Sequence, residues 1–387
     1  MLFAGLVLVA VAASHGYLWL RLVRDTTRHP RARRIGAWVV GALALLFAVT
    51  AVGNRALPRR FEMTFERVVG WPGYVWIAAA AYLSLALLVL ELPVRSATWV
   101  RGLRRTSAEN ATTSEDADRS RRLLVARGAA IAAGLAATGV TAAGMVTALG
   151  PPRTRRVQIP LAKLPRGMDG TRIALVSDVH LGALLGRAHT ERVVAAVEAL
   201  DADIVAMVGD LVDGTVGDLA DAVAPLRALR NAYFVTGNHE YFSGHEDWVE
   251  HLGTLGLRVL RNARVELGGL DLAGVNDATG GTVGDPPDHD LALTGRDPAR
   301  PVVLLAHQPV QAHEAARRGV DLQLSGHTHG GQLWPFHHVT RMSQPVISGL
   351  GAVDGMPVYV TNGAGFWGPP VRVGAPPDVT LIELRSA

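Results

Sequence analysis

Five short apolar segments in the second half of the chain each end in residues that can bind a metal ion. These end residues are Asp178 and His180, Asp210, Asn238, His307, and His327 and His329. The segments alternate with amphipathic helical patterns such as 188–200 and 218–230, which indicates an α/β domain. Because ligands bind at the carboxyl ends of strands in open α/β sheets, we expect the five ends to form one pocket.

The residue types in this pocket predict a metal site with two ions. Carboxylate and amide oxygens together with imidazole nitrogens suit Mn²⁺, Fe or Zn²⁺, and two ions are needed to neutralise so many ligands. The chain contains no cysteine, which excludes disulfides, thiolate zinc sites and a cysteine nucleophile. A single Asp-x-His or His-x-His is a weak signal, whereas five such pieces in one chain, each beside glycine or an apolar run, are a strong one.

The order of these pieces resembles the calcineurin-like metallophosphoesterase superfamily over residues 157–387. The motifs are DVH (178–180), GDLVD (209–213), GNHE (237–240), AHQP (306–309) and GHTHGGQ (326–332). The last motif and the tail GAPPDVTLIEL (374–384) are most similar to the bacterial membrane-associated branch, which includes phosphodiesterases and relatives of UDP-diacylglucosamine hydrolases. The resemblance implies a four-layer α/β/β/α sandwich, an expectation for the structure to test.

The resemblance also implies a dinuclear centre of two divalent ions (Mn, Fe or Zn) bridged by Asp210. The implied ligands are Asp178, His180, Asp210 and His329 for one ion, and Asp210, Asn238, His307 and His327 for the other. Two such ions share a water, lower its pKa and present it as hydroxide to phosphorus. His239 would face the substrate, where it stabilises the developing charge or protonates the leaving alkoxide.

Three further residues have two interpretations each. Asp213 either orients His180 or a nearby loop, or caps the following helix. Asp277 either lines the pocket or forms a turn after its strand. Arg372 either reaches a substrate phosphate or makes a surface salt bridge.

Four aromatic residues near the GHTHGGQ motif and the carboxyl terminus are also ambiguous. They form either a hydrophobic lip for a lipid or an acyl chain, or part of the core, and the second interpretation is favoured. They are Trp334, Phe336, Phe366 and Trp367.

The first 150 residues have a different composition and predict a membrane region. Four apolar stretches, at about 2–20, 35–53, 71–93 and 128–149, are each close to the length that crosses a bilayer. This part holds 18 arginines against 8 acidic residues, whereas the remainder of the chain is net acidic. Basic charge beside apolar stretches favours a membrane over a nucleic acid as the partner. The expected organisation is therefore a multi-pass region (1–150) followed by the phosphoesterase domain (151–387).

The loops between the stretches predict the orientation. Loop 21–34 holds six arginines, loop 54–70 four and loop 94–127 eight, so the first and third are expected in the cytoplasm and the catalytic domain outside. Segment 106–118 is polar and predicts a flexible linker. Arg121 and Arg122 beside the fourth stretch fit either a twin-arginine export signal or an ordinary cytoplasmic flank.

These features predict a membrane-anchored phosphoesterase for phosphomono- or phosphodiesters, with envelope or lipid-linked substrates and membrane lipid as partners. A nuclease of the same superfamily is disfavoured because the catalytic half is acidic, so no nucleic-acid partner is expected. A membrane sensor or scaffold that binds phosphate with weak catalysis is the alternative of another class, although every expected ligand is present. The pattern makes no prediction of substrate identity, native metal or oligomeric state.

Overall fold

The computed structural model describes residues 2–56, 63–105 and 115–387, and the chain divides into two compact units. Contacts separate Met1–Gly144 from Met145–Ala387. The first unit is helical, and the second contains all the strands of the described residues.

The first unit consists of long helices with short π-helical turns. The helices are α1 (Leu2–Leu18), α2 (Pro30–Ala56), α3 (Trp71–Arg105) and α4 (Glu115–Leu149), with π-helical turns at Trp19–Arg24 and Glu66–Gly70. Leu18, Ala80, Leu87 and Ala133 form the buried cluster that joins α1, α3 and α4. Residues 106–114 of the predicted linker lie outside the described residues, whereas 115–118 are helical in the structure.

Three stretches of the described residues are long and apolar enough to cross a membrane: Pro30–Gly53, Met63–Leu92 and Ser120–Leu149. They overlap the second, third and fourth predicted spans. Helix α1 is only 17 residues long and is not among them, so a first membrane span remains a prediction. Apolar side chains such as Leu45 and Val146 are more than half exposed in the protein alone, as expected for surfaces that face lipid.

The second unit contains two six-stranded mixed sheets. The strands are β1 (Arg153–Leu161), β2 (Arg172–Val176), β3 (Ile204–Val208), β4 (Ala232–Val235), β5 (Arg258–Val259), β6 (Ala263–Leu267), β7 (Leu270–Gly274), β8 (Val302–Leu305), β9 (Leu322–Ser325), β10 (Gly349–Val353), β11 (Met356–Val360) and β12 (Asp378–Ser386). Sheet one has the order β1-β12-β2-β3-β4-β5, and sheet two the order β10-β11-β9-β8-β7-β6.

The strands that precede the predicted ligands are parallel to one another within each sheet. In sheet one, β2 pairs in parallel with β3 and β3 with β4, and in sheet two β8 pairs in parallel with β9. Every residue of β3, β4, β8 and β9 is buried, which explains why β3, β4 and β8 are continuous apolar runs without alternation, whereas β9 also contains the buried polar residues Gln323 and Ser325. Parallel pairing brings their carboxyl ends to one edge of each sheet.

Residues from both sheets share one buried core. Ile173 and Leu175 of β2 and Val208 of β3 belong to the same cluster as Val303 of β8 and Leu324 of β9. A second cluster contains the alternate residues of sheet two, including Val302 and Leu304, with Ala292, Ala312 and Ala315 from helices. Alternation along the strands thus sends one set of side chains toward the other sheet and the next set toward helices.

Helices and helical turns connect the strands of the second unit. The helices are α5 (Arg187–Glu198), α6 (Val216–Val223), α7 (Asn238–Ser243), α8 (His245–Thr254), α9 (His289–Ala292), α10 (Ala312–Arg317) and α11 (His337–Thr340). The 3₁₀ turns are Arg166–Met168, Ala224–Ala228, Ala278–Val283, Pro309–Gln311 and His329–Gly331. Helix α7 begins at Asn238, after a two-residue connection from β4, and positions the residues of the GNHE motif.

Candidate metal centre

Five of the predicted ligands have left-handed backbone conformations that are uncommon outside glycine. The φ angles are +50° at Asp178, +49° at His180, +51° at Asp210, +70° at His327 and +51° at His329. Such a conformation costs a non-glycine residue on the order of 1 kcal/mol or more, and it concentrates at functional sites. The chain therefore carries strain in the turns that follow β2, β3 and β9.

Glycine is required where two of these turns approach each other. Gly209 has a φ of +83°, and a Cβ atom there would lie 2.5 Å from the Gly237 nitrogen and 2.9 Å from Nδ1 of His307. A Cβ atom on Gly237 would lie 2.2 Å from Oδ1 of Asp210. The glycines of the GDLVD and GNHE motifs thus allow the loops after β3 and β4 to pack against each other.

Asp178, His180 and His329 form the first group of candidate ligands. The Nε2 atoms of His180 and His329 are 3.1 Å apart, and Nε2 of His329 lies 3.3 Å from Oδ1 of Asp178. Nδ1 of His180 is 2.9 Å from Oδ1 of Asp213, and a hydrogen bond donated there leaves the Nε2 lone pair for the group. The backbone N–H of His327 donates to both carboxylate oxygens of Asp178 and fixes their orientation.

Asp210, Asn238, His307 and His327 form the second group. Nε2 of His307 lies 3.1 Å from Oδ2 of Asp210 and 3.2 Å from Oδ1 of Asn238. Nδ1 of His307 donates to the Val208 carbonyl at 2.7 Å, so Nε2 carries no hydrogen in the neutral ring. In the neutral ring, Nε2 then faces two oxygen atoms as a third acceptor, and a positive charge, either a proton on Nε2 or a bound cation, stabilises this arrangement.

The pKa of His307 also indicates that the second group attracts positive charge. Burial lowers the pKa of His307, but the carboxylate of Asp210 more than offsets burial and raises that pKa well above its usual value. Positive charge is therefore attracted to the point where the acceptors meet. Ligand atoms of Asp178, His180 and His329 lie within 4.8 Å of one another, as do those of Asp210, His307 and His327, and Asp210 also groups with His180 and His239. The carboxylate, amide and imidazole donors thus fit divalent metal ions, and Oδ2 of Asp210 lies 3.9 Å from Nε2 of His180 in the first group.

His239 lies beside both groups and is held by two carboxylates. Its backbone N–H donates to Oδ1 of Asp210 at 2.8 Å, and Nδ1 lies 2.6 Å from Oδ1 of Asp213. Burial lowers the pKa of His239, but Asp210 and Asp213 outweigh burial and raise it to about 10. His239 is therefore an imidazolium in the protein alone and leaves Nε2–H to donate.

The N-cap interpretation of Asp213 is wrong, because Thr215 is the N-cap residue of α6.

Glu240 is a site residue that the sequence reasoning missed. It is fully buried, and its Oε2 accepts hydrogen bonds from the backbone N–H of Asp210 and of Gly237, while Oε1 accepts from Leu211. The carboxylate thereby joins the loop after β3 to the start of α7. The signal was available, because an acidic residue three positions after the N-cap is typical of a capping box.

Comparison with known proteins identifies the family. The model of the calcineurin-like phosphoesterase family matches residues 171–331. An uncharacterized metallophosphoesterase of Aquifex aeolicus is 35% identical over 242 residues, which cover 60% of this chain and 92% of that protein. The chain belongs to the calcineurin-like metallophosphoesterase family. The resemblance seen in the sequence is thereby confirmed.

Two other relatives share the metallophosphoesterase domain but are longer. A transmembrane protein with metallophosphoesterase domain from Danio rerio is 37% identical over 257 residues, covering 62% of this chain and 59% of that protein. An uncharacterized metallophosphoesterase of Helicobacter pylori (strain J99) is 37% identical over 242 residues, covering 61% of this chain and 65% of that protein. The match spans less than two thirds of each of these two relatives. The similarity to a transmembrane protein agrees with the membrane-associated branch.

Arg372 has a different environment from either predicted one. Arg372 is only 1% exposed, so the prediction of a surface salt bridge is wrong. Its guanidinium donates to the carbonyl oxygens of Gly365, His329 and Ala375, and Nη2 lies 2.9 Å from Nδ1 of His329. Burial lowers the pKa of Arg372 to about 10, although nearby carboxylates oppose this effect. Arg372 therefore contacts both the backbone and the ring of His329, a candidate metal ligand, and stabilises their position.

Asp277 forms a turn, as the second interpretation predicted. Its side chain accepts from the Thr279 backbone N–H at 2.7 Å and caps the 3₁₀ turn Ala278–Val283. Nε2 of Gln308 donates to both of its carboxylate oxygens. Because Gln308 follows His307 in the AHQP motif, Asp277 fixes the loop that carries a candidate ligand.

The four aromatic residues near the GHTHGGQ motif divide into two kinds. Phe366 is 3% exposed and packs in the interior. Trp334, Phe336 and Trp367 are 52%, 50% and 55% exposed, so core packing is the wrong interpretation for them.

Proposed function

We propose that the protein is a membrane-anchored dimetal phosphoesterase that hydrolyses phosphomono- or phosphodiesters. Family membership supports phosphoester chemistry, and the convergence of Nε2 of His307 with Oδ2 of Asp210 and Oδ1 of Asn238 is the observation that carries the metal proposal. A cation that replaces the proton on Nε2 satisfies all three of these atoms.

Two sets of residues would hold the metal ions. Asp178, His180, Asp210 and His329 form one set, and Asp210, Asn238, His307 and His327 form the other. Divalent ions (Mn, Fe or Zn) at these sets would supply Lewis acidity to the phosphate oxygens and a water of lowered pKa. The carboxylates of Asp178 and Asp210, which are both buried, would supply the compensating negative charge.

His239 acts as the proton donor in this proposal. Oδ1 of Asp213 holds Nδ1, which fixes the ring orientation and directs Nε2–H away from that carboxylate. Protonation of the leaving oxygen by Nε2 lowers the barrier most for a poor leaving group such as an alkoxide. Asp213 remains ionised throughout, because the two imidazoles beside it outweigh its burial and lower its pKa.

The membrane-spanning helices and the charge distribution favour envelope or lipid-linked phosphoesters. Loop arginines place the catalytic domain outside the cytoplasmic membrane in this proposal, with the predicted boundary near residue 150. The acidic balance of residues 151–387 disfavours nucleic acid as a substrate. The core shared by the two sheets, and the helix-bearing cluster on sheet two, support a four-layer sandwich for this domain.

The test of the metal assignment is the Asp210→Asn substitution. Loss of a shared carboxylate removes a ligand from both sets, so we expect purified protein to lose bound metal and hydrolytic activity while it stays folded by circular dichroism. Asp271→Asn is the matched control, because Asp271 is buried and paired with Arg264 outside the site. Two bound ions in an inactive Asp210→Asn protein contradict the assignment.

Substrate class is tested with a panel of phosphomonoesters, phosphodiesters and lipid-linked phosphates in the presence of Mn²⁺. We expect metal-dependent hydrolysis of at least one class, abolished by Asp210→Asn. Metal binding without hydrolysis of any member of the panel favours the sensor or scaffold function.

A further inference from the structure

Two exposed aromatic rings border His239. The ring of Phe242 lies 5.6 Å from the imidazole, and the ring of Trp367 lies 6.2 Å from it, both in edge-on arrangements. Phe242 is 60% exposed and Trp367 is 55% exposed. Large aromatic side chains left in water beside a reactive group indicate a surface that a ligand covers.

The scaffold of the site fixes both rings. Phe242 is three residues after His239 on α7, a spacing that places the two side chains on the same face of the helix. Gln332 accepts from the backbone N–H of Trp367 at 3.1 Å and donates to the carbonyl oxygens of Trp367 and Pro369. The backbone that carries each ring is therefore fixed before a ligand arrives, which reduces the entropy lost on binding.

The segment that carries Trp367 is also bonded to the candidate metal ligands. The Gly365 N–H donates to the Asp178 carbonyl at 2.7 Å, and Arg372 donates to the Gly365 carbonyl while it contacts His329. Gln332 itself belongs to the GHTHGGQ motif, three residues after His329. The same residues that fix the candidate metal ligands thus set the position of the exposed tryptophan.

We propose that Phe242 and Trp367 bind an apolar chain on the leaving group of the phosphoester. This inference rests on the proposed function, in which His239 faces the leaving oxygen, so a chain attached to that oxygen lies beside His239 and its two neighbouring rings. Phenylalanine has no polar atom on its side chain, and contact with an aliphatic chain removes exposed apolar surface from water. The chain has helices long and apolar enough to cross a membrane, and phosphoesters with aliphatic chains are found in membranes.

The experiment measures binding of three non-hydrolysable phosphonates to the full-length, Mn²⁺-loaded protein in lipid nanodiscs by calorimetry. Methylphosphonate reports the phosphate-binding centre alone, hexylphosphonate adds an aliphatic chain, and benzylphosphonate adds a planar ring. We expect hexylphosphonate to bind roughly 10- to 100-fold more tightly than methylphosphonate, since each buried methylene contributes to affinity. Phe242→Ala and Trp367→Ala should each reduce this ratio roughly 3- to 10-fold.

Leu291→Ala is the matched control, because Leu291 is 58% exposed on α9 and has no part in the proposed site. It should leave the ratio unchanged. A wild-type ratio near one, or a ratio that neither aromatic substitution changes, overturns the inference. Tighter binding of benzylphosphonate than of hexylphosphonate overturns the assignment to an aliphatic chain.

A separate assay on the same samples distinguishes the inference from the proposed function. Hydrolysis of p-nitrophenyl phosphate and of bis(p-nitrophenyl) phosphate, with and without Mn²⁺, reports catalysis on a monoester and on a diester, whereas the phosphonate ratio reports chain binding. Absent hydrolysis with a high ratio refutes the phosphoesterase function alone, and hydrolysis with a ratio near one refutes the apolar site alone.

Discussion

Oδ1 of Asp213 lies 2.6 Å from Nδ1 of His239. The same oxygen lies 2.9 Å from Nδ1 of His180, so one carboxylate contacts a candidate metal ligand and the candidate proton donor together. The rings of the two histidines are 4.6 Å apart and perpendicular. Asp213 therefore couples the orientation of the metal centre to that of the acid.

Replacement of Asp213 by asparagine should affect both histidines. One of the two charges that raise the pKa of His239 is lost while Asp210 remains, so this pKa falls and the alkaline limb of the pH–rate profile moves to lower pH. We expect kcat to fall roughly 10- to 100-fold, which is typical of a residue that supports metal ligands. Asp201→Asn is the control, because Asp201 is 89% exposed beside Arg172. An unchanged alkaline limb contradicts this role of Asp213.

Replacement of His239 by alanine should separate catalysis from metal binding. We expect the variant to retain its metal ions and to lose roughly 10²–10⁴-fold in rate on an alkyl phosphoester, because the leaving alkoxide loses its proton donor. The loss should be much smaller on p-nitrophenyl phosphate, whose leaving group is acidic. His313→Ala serves as the control, since His313 pairs with Asp354 at an exposed position. An unchanged rate on the alkyl ester removes His239 from the mechanism.

The sequence predicted the site better than it predicted the surroundings of the site. Because β2, β3, β4, β8 and β9 are largely buried, mostly apolar strands followed within three residues by a candidate ligand, their ends were visible as changes of composition. Asp213 was predicted beside His180 by its place in GDLVD. The structure brings all seven predicted ligands into two adjoining groups.

The residues that sequence reasoning placed wrongly or missed act through contacts distant in the chain. Arg372 contacts His329 across 43 positions, and nothing in its local sequence predicts that an arginine is buried. Phe242 is exposed on a helix whose other residues are mostly buried. Glu240 resembles an ordinary helix-capping residue until its bonds to Asp210 and Leu211 are seen. Burial and long-range pairing depend on the assembled fold, and a local pattern does not encode them.

Substitution of Glu240 by glutamine should destabilise the site. Three backbone N–H groups donate to the carboxylate, and an amide NH₂ replaces one acceptor oxygen in either orientation, so at least one buried N–H loses its partner. The expected loss in the free energy of unfolding is about 1–3 kcal/mol. Chemical denaturation measures it, with Glu250→Gln on α8 as the control. Equal stability of the wild type and the Glu240→Gln variant contradicts the prediction.

His189 should make the protein sensitive to acid. It is 2% exposed on α5, and burial together with Arg192 lowers its pKa to about 4, below the 6.5 of an unfolded chain. Between these values the unfolded state binds more protons, so stability rises with pH and is lost as pH falls from about 6.5 to 4. The loss is on the order of 3 kcal/mol. His189→Phe should flatten this part of the stability–pH curve, whereas His338→Phe at an exposed position should not.

The side of the membrane on which the catalytic domain lies determines the substrates it meets. Loops 54–70 and 94–127 hold four and eight arginines, so the second predicted loop is expected outside and the third inside, and the span that ends at Leu149 then delivers the domain outside. This result does not depend on whether α1 is a span, because the count starts from loops that follow α2.

Three arginines follow this candidate span directly, and basic residues beside a span usually favour the cytoplasmic side. Their structural environment weakens this argument. Arg153, Arg155 and Arg156 belong to β1, so only residues 150–152 connect the candidate span to the sheet. Arg155 is paired with the buried carboxylate of Asp378 at 3.0 Å. A charge neutralised within a folded domain contributes less to membrane orientation than one in a free loop.

Protease treatment of intact spheroplasts measures this topology. We expect cleavage of the catalytic domain without lysis, while a cytoplasmic marker protein stays intact. A cysteine introduced at exposed Asp201 provides an independent readout, because the chain has no native cysteine and a membrane-impermeant maleimide then labels this position only from outside. If labelling requires permeabilised cells and the domain is protected from protease, the predicted topology is contradicted. The catalytic domain then lies in the cytoplasm, and cytosolic phosphoesters become the expected substrates.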